Sequence, residues 1–229
     1  MMEMSYTVLL DPWQIAVLDV TSTLILVTAA VIALTRNMLL AVKAYVLQAI
    51  ILVVMFLTIG VKYGWFFGWS ASALVTKVIL VPWVLFWAIN RTRYVAEKEE
   101  PITPLGAYVL LVAIVYAASL ILVRHIVSIA HVLARIGEVP LVSSLSLVAL
   151  GLLIITVAKN ALKQVMGIIL FENGSHILLA STAFHVPETV EIGIATDAVI
   201  FITVLTLLAY KMVRVRGDMD ISKLVSLKY

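Results

Sequence analysis

Long apolar runs, broken at short intervals by polar punctuation, fill the chain from residue 12 to residue 213. Seven of them, 12–35, 38–61, 70–90, 105–124, 141–158, 161–183 and 189–213, are predicted as helices. Each is close to the ~20 residues that cross a ~30 Å hydrocarbon core. The breaks between them carry turn chemistry. Thr35, Arg36 and Asn37 make a tight turn between the first two helices, and Pro101 and Pro104 precede the fourth. Only a helix or a closed barrel satisfies its own backbone in lipid. The pattern therefore predicts an all-α polytopic membrane helix bundle of seven transmembrane helices.

The period changes after the fourth helix. Arg124, Ser128, His131, Arg135 and Glu138 recur at steps of four and three, with Ile126, Val127, Ile129, Ala130, Leu133 and Ile136 between them. One polar face on an apolar helix suits a segment lying on the outer surface. The alternative is an extension of the fourth helix. A helix over 105–135 would be about 46 Å long at 1.5 Å per residue and would protrude or bend.

Helices one to three resemble helices five to seven. TRN followed by MLLAVKAYVLQ aligns with AKN followed by ALKQVMGIILF, placing Asn37 against Asn160 and Ala44 against Gly167. SALVTKVI aligns with IGIATDAV, placing Lys77 against Asp197. The sequence thus predicts two parallel three-helix repeats joined by a linking helix. The expected division is 1–94 for the first repeat, 95–139 for the linker helix and outer amphipathic segment, 140–214 for the second repeat, and 215–229 for a tail. The tail mixes charges with Ile221, Leu224, Val225 and Leu227. A short helix capped by Asp220, docked on a neighbouring subunit, is expected there.

Composition agrees with the membrane class. Of 229 residues 63% are hydrophobic and 13% charged, against ~25% charged in soluble domains. With no cysteine, the chain holds no thiolate ligand, disulfide or thiol nucleophile. The net charge of +3 does not point to nucleic acid, because the basic residues are divided among short loops. One side of the predicted bundle carries Arg36, Arg91, Arg93, Lys98, Lys159, Lys163, Lys211, Arg214, Arg216, Lys223 and Lys228; the other carries Lys62, Arg124 and Arg135. By the positive-inside rule the N-terminus is expected outside and the C-terminus in the cytoplasm. Residues 1–12, MMEMSYTVLLDP, lack a basic leader region, so no cleavable signal peptide is expected. The run Tyr63, Trp65, Phe66, Phe67 and Trp69 suits the outer interface.

Candidate chemistry follows from charges where lipid disfavours them. An ionised side chain at membrane depth costs about 2.5–3.5 kcal/mol or more, and such groups pair or line an ion path. Glu172, about 18 Å along its helix by the helical rise, is near the midplane. His176 is one turn further on the same face. Lys77 and Asp197 fall at similar depths from the outer side and are expected to pair across the repeats, either as a static ion pair or as part of a path. Lys43 is either part of the path or snorkels to the interface, as Lys163 is expected to do. Glu191 is either path-lining or a solvated carboxylate at a helix N-terminus. The candidate proton or ion path is therefore Glu172, Asp197, Lys77, His176, Glu191 and Lys43, with no catalytic or metal-ligating set. Haem would need axial ligands across the bundle, and His176 has no evident partner at its depth.

Three segments carry a family resemblance: WSASALVTKVILVP, residues 69–82; FENGSHILLASTAFHVPETVEIGIATDAV, residues 171–199; and the tail DISKLVSLKY. They closely resemble the membrane component E of hydrogenase-4. The resemblance covers the whole chain, including its length and helix count. It implies an integral membrane subunit of a membrane-bound nickel–iron hydrogenase or a similar complex I-like assembly, in the cytoplasmic membrane. Such assemblies couple electron transfer to proton or sodium movement through antiporter-like subunits. The implied nickel–iron centre and iron–sulfur clusters would sit in partner subunits, with no cofactor on this chain. The second repeat is more distantly similar to the K-type subunit of respiratory complex I. Asn160 and Gly167 keep that family's spacing, and its following Asn falls on Asn173. Glu172 lies about one turn deeper than the family's glutamate, and Asp197 matches a second glutamate by helix and depth alone. Two other readings stay open on the residues themselves: a stand-alone ion-coupled secondary transporter, and a structural membrane scaffold. Only Pro82 is read as interrupting a span, which disfavours a carrier.

Overall fold

The computed structural model describes residues 10–94, 105–129, 136–182 and 188–222. Within them are seven helices long and apolar enough to cross a membrane: α1 Pro12–Leu34, α2 Met38–Gly60, α3 Phe66–Thr92, α4 Leu105–Ile129, α5 Glu138–Val157, α6 Ala161–Thr182 and α7 Glu188–Arg216. The chain is an all-α, multi-pass membrane protein. The boundaries lie close to those the apolar runs predict, with two differences. Helix α3 begins four residues earlier, so the aromatic run enters its first turns. Phe66 and Trp69 are buried there against Phe56, with Trp69 edge-on at 5.6 Å. They are core residues rather than interface anchors. Helix α4 continues to Ile129, so the polar face from Arg124 starts as an extension of that span. His131 and Arg135 lie outside the described residues.

Two tight hairpins organise the bundle. Asn37 accepts a hydrogen bond from Leu40 N–H at 3.1 Å, and Asn160 accepts one from Lys163 N–H at 2.9 Å. Each amide satisfies an N–H that a helix start leaves without an intrahelical acceptor. Across the two hairpins α1 packs on α5, α2 touches α6, and α3 packs along α7. Helix α4 lies mainly on α5, outside this core.

Both hairpin turns lie at one end of the bundle, and Lys163 ties them together. Its buried ammonium donates to Ile32 O at 2.6 Å and Thr35 O at 2.5 Å. The expected snorkelling does not occur, because the last carbonyls of α1 offer acceptors closer than any headgroup. The end of α7 meets the same place. Ala161 N–H donates to Met219 O, Ile221 N–H donates to Lys159 O, and Met219 is fully buried. Asp220 accepts from Ser222 N–H at 3.0 Å; the helix expected after it runs into residues outside the described ones. The first part of the tail thus docks on this chain's own α5–α6 turn; residues 223–229 lie outside the described residues. At the opposite end, Lys62 pairs with Asp11 at 2.9 Å and Gln14 donates to Thr58 O at 2.7 Å.

The α5–α6 hairpin is the tightest contact. A Cβ on Gly151 would sit 2.6 Å from Gly167 O and from Phe171 N. One on Gly167 would lie 2.8 Å from Gly151 O, and one on Gly174 would lie 2.7 Å from Ser144 O. Lipid gives helices no hydrophobic reason to associate, so close backbone approach at small residues supplies the van der Waals attraction. Gly174 is two residues from Glu172, so this packing also holds the carboxylate in place. Gly167→Leu and Gly174→Leu are expected to destabilise the detergent-solubilised protein by about 1–3 kcal/mol, the usual cost of overpacking. Denaturant titration of the purified variants checks this; unchanged midpoints would show that the hairpin is not close-packed.

Candidate functional site

The site is a line of polar side chains through the middle of the apolar bundle. By the helical rise, Gln48 lies about 15 Å and Glu172 about 16 Å from the end that holds the hairpin turns. Lys77 is 2% exposed and reaches this layer from α3. Its ammonium donates to Glu172 Oε2 and, at 3.0 Å, to Asn173 Oδ1. Asn173 Nδ2 donates to Gln48 Oε1 at 3.1 Å, and Gln48 Nε2 donates to Ile25 O at 3.1 Å. One charge is therefore held by a chain of donors and acceptors through α3, α6, α2 and α1. Both polar ends of each amide are used, so the network orients its members.

The backbone of α3 is altered where Lys77 leaves it. Residues Leu74–Leu80 form a π-helix, in which Val81 N–H reaches back five residues to Thr76 O. Pro82 follows immediately. Proline has no N–H, and its ring collides with the carbonyl four residues earlier in a regular α-helix. A wider turn before it relieves that collision. Single wide turns of this kind recur at functional sites; here the wide turn contains the lysine.

His176 extends the line away from the hairpin turns. It is 1% exposed, and its Nδ1 lies 3.4 Å from Glu172 Oε1, with neither ring nitrogen hydrogen-bonded. The two carboxylate oxygens thus face different groups: Oε2 the ammonium, Oε1 the imidazole. Tyr45 is buried in α2.

Three of the six candidate residues come together and others do not. Glu172, Lys77 and His176 form the centre. The expected Lys77–Asp197 pair is absent. Lys77 turns to α6, where a carboxylate and an amide oxygen lie at its own depth, while Asp197 lies on the exposed face of α7. Lys43 is exposed on the second turn of α2, near the end of the bundle, as snorkelling requires. Glu191 lies in α7, and its side chain falls outside the described residues. Sequence reasoning gave Gln48 and Asn173 no role in this centre. The available signal was their chemistry: amides at mid-depth in apolar helices face inward and bond each other. No three His, Cys, Asp or Glu side chains converge as a metal set among the described residues.

The family model of NADH-ubiquinone/plastoquinone oxidoreductase chain 4L matches residues 139–229, which include Glu172, Asn173 and His176. No solved structure matches the chain. An uncharacterised protein of Mycobacterium tuberculosis is 24% identical over 69% of this chain and 70% of its own length. The hydrogenase-4 component E proteins of Escherichia coli and Shigella flexneri are each 35% identical over 210 residues, covering 87% of this chain and 95% of theirs. Identity sustained over nearly the whole of both sequences shows that the chain belongs to the hydrogenase-4 component E family.

Proposed function

We propose that this chain is an integral membrane subunit of a hydrogenase or complex I-like energy-converting complex, and that its Lys77–Glu172–His176 centre carries protons or cations part of the way across the membrane. The observation that carries the reading is the ammonium of Lys77, buried at membrane depth and held by Glu172 and Asn173. A buried ion pair gives little net stability over a well-packed apolar pair, because desolvation offsets the attraction. A scaffold gains nothing from it. A conductor gains a carboxylate whose proton affinity follows the position of the lysine. Movement of the ammonium toward or away from Glu172 is then linked to proton transfer at the carboxylate. His176, against the other oxygen, is the next acceptor along the line, and imidazole suits relay work.

In this reading the chain sits in the cytoplasmic membrane with its basic end in the cytoplasm, as the positive-inside rule requires. Antiporter-like membrane subunits and cytoplasmic hydrogenase subunits are its partners. The nickel–iron centre and the iron–sulfur clusters reside in those partners.

Glu172→Gln keeps the size and hydrogen bonding of the site and removes its titration. In the assembled complex it is expected to leave electron transfer running and to abolish coupled ion movement in proteoliposomes. Normal pumping by that variant would overturn the relay. The ion pair itself is tested by a double-mutant cycle. Lys77→Met alone strands the carboxylate and is expected to destabilise the protein by ~3–5 kcal/mol, whereas Lys77→Met with Glu172→Gln together should cost less than Lys77→Met alone. Additive losses would show that the two residues are not coupled.

A further inference from the structure

We propose that the exposed face of α7 centred on Asp197 is an interface within the membrane, and that its partner is a transmembrane helix of another subunit carrying a cationic side chain at the same depth. Asp197 lies nine residues into α7, about 14 Å from its first residue. The buried face of α7 is defined by Ala195, Ile202, Thr206 and Ala209, which pack inward. Asp197 falls on the other side, with Phe201, Val204 and Leu208, all exposed. Among the described residues it has no ion pair and no hydrogen bond, and Lys77 at comparable depth is committed to Glu172 and Asn173.

A carboxylate cannot remain ionised against hydrocarbon at that depth without a compensating charge or water. Among the described residues of this chain none supplies that compensation. Aspartate, with a single methylene, has little reach to snorkel from there. Gly193, one turn before it on the same face, has nothing within 4 Å of where its Cβ would be. That leaves room for a second backbone to approach at the level of the charge, which is how helices associate in lipid. Phe201, Val204 and Leu208 continue the face as apolar packing surface. Charge complementarity selects the partner: lysine, arginine or protonated histidine on the facing helix. This inference does not rest on the relay proposed for Glu172.

A lipid-soluble carbodiimide reports the difference, since it modifies protonated carboxyl groups exposed to lipid. Peptide mapping of the chain expressed alone is expected to show Asp197 modified. In the intact complex the modification at Asp197 should be lost, because the residue is then paired with the partner's cation and covered. Equal modification in both would show that this face meets lipid, and would overturn the proposal. Charge reversal supplies the second readout. Asp197→Lys should lose the other membrane subunits on purification, while Asp197→Asn, which keeps size and hydrogen bonding, should retain more of them. Full retention of those subunits by Asp197→Lys would equally overturn it.

Discussion

A lysine ammonium in the middle of a membrane protein has to be answered, and most of this architecture is arranged around the answer. Lys77 is buried in the bundle, where an unpaired charge would cost several kcal/mol. The wide turn of α3 and Pro82 set where the side chain leaves its helix. Glu172 supplies the opposite charge, and Asn173 takes a second hydrogen bond. Gln48 then holds Asn173, and the Ile25 carbonyl holds Gln48. Remove any of the later members and the earlier ones lose their orientation. The glycine contacts of the α5–α6 hairpin belong to the same construction, because they fix α6 and so the height of the carboxylate.

The arrangement separates two kinds of buried charge. Lys163 is buried as deeply as Lys77, but at the end of the bundle, where it closes the C-terminus of α1 and joins two turns. Its acceptors are backbone carbonyls that cannot change charge. The acceptor of Lys77 is a carboxylate that can. Only the second kind of contact lets movement of one group alter the protonation of another.

Much of the fold was legible because lipid allows few solutions. Apolar runs of about 20 residues and polar turns located all seven helices, and Asn37 and Asn160 were readable as turn residues. Glu172, Lys77 and His176 were found by the same rule, that charge in a span requires a reason. What the sequence hid was pairing. Aligning Lys77 with Asp197 matched depth but not direction: a helix presents a residue at one angle, and the π segment changes that angle for Lys77. No one-dimensional pattern carries it. The amides were passed over because neutral polar residues carry a smaller penalty than charges and stand out less. Lys163 was misread for a related reason, since snorkelling is the rule for a lysine near a helix end unless another helix end lies closer.

In the proposed relay, Glu172 changes protonation while the complex turns over, under control of Lys77. Infrared difference spectroscopy of the active complex reads this directly through the carboxyl C=O stretch. Turnover should produce a band in the protonated-carboxyl region that is absent in Glu172→Gln and shifted or lost in Lys77→Met. A turnover spectrum with the same carboxyl bands in the wild-type and Glu172→Gln complexes would mean that Glu172 stays in one state, and would contradict the account.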